Sequence, residues 1–216
     1  MRFHTRWAGE IIVAALLCAS ARANGQEMRV LVYNTAKVSD GIVAQAGRET
    51  VRIFRAAGVQ LAWVNCSGRG QSAGCVVQQQ SPELVLHIIP KGKVSTDSVY
   101  GEAFLAADGA GKYADIFYDR IEGAKRDFGV SPSLLLGAVS AHEIGHLLLG
   151  LRAHSWIGVM APVWRKESFQ SLQMGQLFFT RDQAAQLRER SEENASQMTN
   201  HLSRKGTRLE GWNGNP

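Results

Sequence analysis

The sequence lacks three features that would place it in a common class of proteins. It has no block of consecutive lysines and arginines, so its formal net charge of +5 indicates a mildly basic surface and no nucleic-acid partner. It has no apolar run of the roughly 20 residues that a membrane-spanning helix needs. It has no internal repeat and no obvious linker. Because 45% of its 216 residues are hydrophobic, we expect one globular domain with its own core.

The first 23 residues have the pattern of a secretory signal peptide. Arg2 and Arg6 give a positively charged start, residues 11–19 (IIVAALLCA) form a short apolar segment, and residues 21–23 (ARA) are an A-x-A cleavage site. The apolar segment is too short for the alternative, a stable membrane anchor. We expect cleavage after Ala23 and a secreted or periplasmic protein. Cleavage removes three arginines and one glutamate, which lowers the formal charge from +5 to +3.

Cysteine is scarce, and one of the three cysteines lies in the predicted signal peptide. The other two, Cys66 and Cys75, enclose the small and flexible residues of CSGRGQSAGC. Their spacing differs from the C-x-x-C of many metal and redox sites. Because exported proteins fold in an oxidising compartment, we predict a Cys66–Cys75 disulfide and regard two free thiols as the less favoured alternative.

Five short, mostly apolar segments predict β-strands, at Met28–Tyr33, Gln60–Asn65, Glu83–Ile89, Gly101–Ala107 and Ala114–Tyr118. Between the first two strands, Ser39-Asp40 could cap a helix, and apolar residues at helical spacing continue that helix to near Gly58. A short second helix is predicted over Asp119–Phe128.

The remaining residues predict two further helices and a tail. A third helix begins at Ser131-Pro132, because proline is tolerated in the first turn, and ends at Gly150, a typical C-cap residue. Irregular residues rich in tryptophan and glycine follow. Thr180 caps a last helix that is charged on one face, and residues 200–216 form a polar tail. These elements predict one α/β domain with a helical C-terminal extension.

The third predicted helix carries the motif HEIGH, residues 142–146. Residues four apart project from one face of a helix, so His142 and His146 can bind the same metal ion. Glu143 lies beside them and is well placed to accept a proton from metal-bound water. The surrounding residues are apolar nearly all round, and burying these three side chains among leucines is unfavourable unless a metal ion satisfies them. The motif therefore predicts a metal site, with two incidental histidines as the weaker alternative.

A catalytic zinc ion needs a third protein ligand, and the sequence offers two candidates. His154 lies eight residues after His146, and Gly150 allows the helix to end and the chain to turn back beneath the metal. Glu167 lies 21 residues after His146, a spacing compatible with thermolysin-like enzymes, but its Trp-Arg-Lys surroundings look like an exposed turn. We favour His154 on ligand type and keep Glu167 as the alternative.

The stretch from residue 141 to residue 162 resembles the metzincin clan of zinc endopeptidases, whose pattern is HExxHxxGxxH followed by a methionine-bearing turn. His142, Glu143 and His146 match this pattern directly. Gly150 matches the glycine of the pattern one residue late, and His154 matches the third histidine two residues late. The segment HSWIGVMAP is similar to the matrix-metalloprotease form, with the serine directly after the last histidine.

The resemblance has implications for one residue and for the fold. It makes Met160 the turn methionine, which packs under the site without binding the metal, whereas the other interpretation of Met160 is ordinary core packing. It implies a zinc metallopeptidase-like α/β (α+β) domain over residues 24–199, with a mixed, twisted sheet of about five strands packed on a backing helix and an active-site helix. It also implies that Gly101–Ala107 is an antiparallel edge strand that pairs with an extended substrate.

Three other residues have ordinary structural interpretations. His87 lies in an apolar strand and is predicted to be a packed core histidine. Trp156 and Trp164 could line a substrate pocket, but we favour core positions for both.

Together the motif and the resemblance predict an exported zinc-dependent endopeptidase. In this hypothesis His142, His146 and His154 bind Zn²⁺, and Glu143 is the general base. We expect a monomer that acts on peptide or protein substrates. The alternatives are a zinc-stabilised binding module without catalysis and a zinc hydrolase that does not cleave peptides. The free base of Glu143 disfavours the binding module, because a structural zinc site is usually closed by a fourth ligand.

Overall fold

The computed structural model describes residues 27–67, 75, 83–92, 99–193 and 196, so the predicted signal peptide and the predicted tail over 200–216 lie outside the described residues. Along the chain the elements are β1 (Met28–Asn34), α1 (Asp40–Ala56), β2 (Leu61–Asn65), β3 (Glu83–Ile89), β4 (Gly101–Phe104), β5 (Tyr113–Phe117), α2 (Tyr118–Phe128), α3 (Pro132–Leu149), α4 (Lys166–Gln173) and α5 (residues 181–193). Among these described helices, none has the length and apolar character needed to cross a bilayer.

The five strands form one mixed sheet in the order β2-β1-β3-β5-β4. β1 is parallel to β2 and β3, and β3 is parallel to β5. β4 is antiparallel to β5 and lies at the edge of the sheet. The predicted α/β class and number of strands are therefore confirmed. β4 is shorter than predicted, because the chain turns after Phe104, where Ala106 N–H donates to Ala110 O at 2.8 Å.

α3 is the central helix of the domain. It packs against α1 and against β3, β4 and β5, while α1 also packs against β2. The two helices approach closely at Gly137, where a Cβ atom would lie 2.6 Å from Ala46 O. Thr50 of α1 donates its hydroxyl to Gly137 O at 2.9 Å across this contact. Buried residues occur on all sides of α3, as its apolar sequence predicts.

α4 was not expected from the sequence, which we interpreted there as an exposed turn. Its two buried residues, Phe169 and Leu172, are three positions apart and so lie on the same face of the helix. At the start of the helix, Arg165 N–H donates to Ser168 Oγ at 3.3 Å. The other six residues of this eight-residue helix are polar or charged, which explains why its sequence resembles a turn.

The disulfide between Cys66 and Cys75 is present and confirms the predicted pairing. Cys66 is buried directly after β2, and its N–H donates to Val32 O of β1 at 2.8 Å. Most of the loop between the two cysteines lies outside the described residues. The bond therefore fixes the base of this loop to the sheet.

Candidate metal centre

Three histidine side chains converge where α3 ends. His142 and His146 lie one turn apart on α3, with their Nε2 atoms 3.1 Å apart. His154, from the segment that follows the helix, places its Nε2 atom 3.1 Å from that of His146. Two nitrogen ligands at 2.0–2.1 Å from a tetrahedral zinc ion lie roughly 3.3 Å apart. The spacing of the three rings therefore fits a common metal ion.

The tautomer of His142 is fixed by its surroundings. Its Nδ1 atom lies 2.7 Å from Val159 O, and because a carbonyl can only accept, Nδ1 carries the proton. The Nε2 lone pair is then free to bind a metal ion. Trp164 donates its indole N–H to the same oxygen at 3.2 Å and packs edge-on against the His142 ring. Val159 and Trp164 thus orient the first ligand.

The longer turn before His154 is accommodated at the surface. α3 continues to Leu149, and Gly150 ends it with a φ of 82°, a value that favours glycine, while its N–H donates to His146 O at 2.8 Å. Leu151 and Arg152 form an exposed turn, after which Ala153 is buried again. The extra residues relative to HExxHxxGxxH therefore project outward and leave His154 beside the helix.

Met160 lies under α3 and is fully buried. A Cβ atom on Gly145 would lie 2.5 Å from Met160 Sδ, so only a glycine between the two helical histidines permits this contact. Ser155 N–H donates to Met160 O at 3.0 Å, and Val159 N–H donates to Phe178 O at 2.9 Å. Met160 is therefore part of the core directly beneath the histidines.

Glu143 faces a cleft and is only 5% exposed. Burial raises the pKa of its carboxyl to about 8, and the charge of Glu102 acts in the same direction, whereas a backbone hydrogen bond from Ala103 lowers it. A Cβ atom on Gly101 would lie 2.8 Å from Glu143 Oε1, so β4 runs directly past this carboxyl. A divalent cation on the neighbouring histidines would favour the ionised form, which is the form that can accept a proton.

Burial also shifts the histidines away from the charged form. It lowers the pKa of His142 to about 4 and that of His146 to about 4, and it lowers the pKa of His154 as well. Proximity of the three rings contributes to the shifts of His142 and His146, because a proton on one ring disfavours a proton on the next. Neutral imidazole is the form that binds metal, so the lowered pKa values favour the protonation state that a metal ion would need.

The cleft beside the histidines has a volume of about 340 Å³. β4 and the segment 161–164 line it, and α3 contributes Val139, His142, Glu143 and His146. Among the described strands β4 is a terminal one, and its residues line this cleft. A terminal strand that borders a cleft is the kind of element with which an extended chain can pair.

The structure brings together all four residues that the sequence predicts for the centre. Among the described residues, His142, His146 and His154 are the group of three or more potential ligands that could hold a metal ion. Glu167 lies in the first turn of α4, where it lines a separate groove together with Trp156. His154, and not Glu167, therefore lies with the two helical histidines.

Two of the three ordinary interpretations were wrong, and the third needs correction in part. Trp156 is 99% exposed, because it lies at the tip of the turn after His154 and has no core to reach. The His87 side chain is 42% exposed and lies 3.4 Å from Asp115, so it is not a packed core histidine. Trp164 is partly buried against the core and also lines the cleft.

The sequence did not reveal Gln183, which contacts both neighbours of His154. Its position three residues after Thr180 forms a capping box, and that pattern is visible in the sequence. The contact with a loop 30 residues earlier has no local signal.

No family model matches the sequence, and no curated protein matches it either, so the centre has to be interpreted from its own geometry.

Proposed function

We propose that the protein is an exported zinc-dependent endopeptidase of the metzincin type. One observation carries this proposal: three histidine nitrogens at metal-ligand spacing lie beside the buried carboxyl of Glu143 in a cleft that is bordered by an edge strand. A purely structural zinc site would have no use for a buried acid that is not itself a ligand at that position.

The residues present fit a zinc ion with three protein ligands and an open position. His142, His146 and His154 would hold it, and Val159 O fixes the tautomer that His142 needs. A bound zinc ion would supply a Lewis acid for the substrate carbonyl and would lower the pKa of a water molecule. Glu143 accepts a proton from the attacking water and then delivers it to the amine of the departing peptide.

The neighbourhood of Glu143 supports a peptide substrate. β4 pairs with β5 on one side, it is a terminal strand among the described ones, and Gly101, Glu102 and Ala103 line the cleft. An extended peptide can add to such an edge as a further strand, which would hold its scissile bond near the histidines. A hydrolase of small molecules would not need a terminal strand beside its active-site cleft.

Replacing Glu143 with glutamine tests the mechanism. We expect Glu143→Gln to lower kcat about 10²- to 10⁴-fold on an unstructured protein substrate, because the amide cannot accept the proton. Zinc content should stay near that of the wild-type chain, since Glu143 is not a ligand. Elemental mass spectrometry and a peptide-release assay give the two readouts.

Two further variants make the result specific. Glu167→Gln is the matched control, and we expect it to retain both zinc and turnover, whereas His154→Ala should lose most of its zinc. Undiminished hydrolysis by Glu143→Gln would contradict the mechanism. A wild-type protein that binds zinc but hydrolyses no protein, peptide, amide or ester would be a binding module instead.

A further inference from the structure

The loop that carries His154 has little regular structure to hold it. His142 and His146 are held by the backbone of α3, but His154 follows an exposed turn and precedes the exposed tip formed by Trp156 and Ile157. A metal ligand in such a segment needs another support, because a displacement of about 1 Å is enough to spoil a constellation of this kind.

That support comes from Gln183, near the start of α5. Gln183 is 7% exposed, and its Nε2 atom donates to Ala153 O at 2.8 Å and to Ser155 Oγ at 3.1 Å. Ala153 and Ser155 are the residues directly before and after His154. One amide nitrogen therefore holds both sides of the third histidine.

The orientation of this amide is determined by its partners. Ala153 O can only accept, so the atom that faces it is the nitrogen. The other end, Oε1, accepts the backbone N–H of Thr180 at 3.0 Å, and Gln183 N–H in turn donates to Thr180 Oγ1 at 3.3 Å. The amide is thus anchored to the helix at its oxygen and reaches the loop with its nitrogen.

The contact continues through Ser155 into the exposed tip. The Ser155 hydroxyl accepts from Gln183 and donates its own proton to Ile157 O at 2.7 Å. Ser155 N–H also donates to Met160 O, which ties the two ends of the tip together. Two hydrogen bonds of Ser155 thus join residues within the tip, and the amide of Gln183 joins the loop to α5.

We propose that Gln183 is a positioning residue that fixes His154 as the third metal ligand, so that the last helix of the domain takes part in building the metal centre. The inference rests on the proposed function only in the role of His154 as a ligand, and it does not require peptide hydrolysis. It also accounts for how a turn two residues longer than HExxHxxGxxH can still present its histidine.

The test is a double-mutant cycle on zinc affinity, measured by competition with chelating dyes on the full mature protein. Gln183→Glu keeps the oxygen that caps α5 but turns an oxygen toward Ala153 O, so we expect zinc to bind about 10- to 100-fold more weakly. In the His154→Ala background the same substitution should change zinc affinity less than about twofold, because its effect passes through His154.

Two controls separate positioning from loss of folding. Gln183→Met keeps the volume of the side chain without a buried charge, and we expect it to weaken zinc binding in the same way. Thr180→Val removes one capping bond of α5 without touching the His154 loop, and its zinc affinity should stay near wild type even where thermal unfolding of the metal-free protein shifts. The d–d spectrum of the cobalt-substituted protein should change in both Gln183 variants and not in Thr180→Val.

Each outcome decides the question. Wild-type zinc affinity in both Gln183 variants would overturn the proposal. It would also be overturned if Gln183→Glu weakened zinc binding equally in the wild-type and His154→Ala backgrounds. Zinc binding that is unaffected by His154→Ala, or absent from the wild-type protein, would overturn it together with the metal centre. Zinc binding without hydrolysis would overturn the peptidase and leave the cycle to decide the role of Gln183.

Discussion

α3 and the segment over residues 150–160 bring ligands to the same point by different means. In α3, buried residues surround His142 and His146, and the regular helix alone sets their spacing. In the following segment, buried Ala153 and Met160 alternate with residues that project into solvent, and hydrogen bonds to distant residues set the path. The three-histidine group therefore combines two side chains placed by secondary structure with one placed by tertiary contacts.

The largest difference between the two regions should appear in core packing. Ile144 is fully buried in α3, so Ile144→Ala should lower the free energy of unfolding by about 2–5 kcal/mol, because it leaves a cavity. Trp156 is a larger residue, but it is almost fully exposed, so Trp156→Ala should stay within about 0.5 kcal/mol of wild type. Urea unfolding of the metal-free proteins measures both.

A substantial destabilisation by Trp156→Ala would contradict the difference between the two regions, because it would mean that the tip contributes packing that stabilises the fold. An Ile144→Ala variant as stable as wild type would show that packing around α3 contributes little to stability.

The same contrast decides what could be predicted from the sequence. The bounds of α3 and the placing of His142, Glu143 and His146 follow from local features, namely Pro132 at the start, Gly150 at the end and the HExxH spacing between them. The strands were also predicted closely, because short apolar runs between turns leave few alternatives. Cys66 and Cys75 paired as the chemistry of an oxidising compartment suggests.

What could not be predicted depends on contacts between distant residues. α4 buries two residues, too few to distinguish it from a turn. Trp156 was assigned to the core because large aromatic residues usually bury, but its place at the tip is set by the return of the chain to Met160. Gln183 reaches back to a loop 30 residues earlier, and no local pattern records such a contact.

Two glycines offer a smaller and more selective test of the His154 segment. Gly158 and Gly175 both have positive φ, at 81° and 68°. A Cβ atom on Gly158 would lie 2.4 Å from Phe178 O, whereas one on Gly175 would meet nothing within 4 Å. Gly175→Ala should therefore lower the free energy of unfolding by about 1 kcal/mol, from backbone strain alone. Gly158→Ala should lower it by about 1–3 kcal/mol more, because its Cβ atom also meets Phe178 O.

Zinc affinity distinguishes the two glycine variants further. Gly158 precedes Val159, whose oxygen orients His142, so Gly158→Ala should also weaken zinc binding. Gly175→Ala should not. If both variants lost the same stability and kept the same zinc affinity, the segment would be tolerant of displacement and the comparison with α3 would fail.

The pH dependence of the metal-free protein gives a last test of this contrast. The pKa of His142 and that of His146 are lowered to about 4 from 6.5, so the unfolded chain binds these protons first, and stability falls as the pH drops from about 6.5 toward 4. The pKa of Glu143 is raised to about 8 from 4.5, so its contribution is complete below pH 4.5 and is lost as the pH rises through 8. Stability should therefore be highest near pH 6.5.

On the acid side the free energy of unfolding should change by at most about 1.4 kcal/mol per pH unit for each of the two histidines. His146 should contribute less than His142, because its ring is less deeply buried and solvent screens it. His146→Asn should reduce the dependence of stability on pH below 6.5 more than His154→Asn does. The pKa of His146 is lowered by burial and by the neighbouring ring of His154, whereas the pKa of His154 is lowered by burial alone. Chemical unfolding in chelator between pH 4.5 and 8.5 measures this. Stability that rises steadily to pH 8 would contradict the raised pKa of Glu143. Equal effects of the two substitutions would mean that the helix and the loop hold their histidines in equivalent environments.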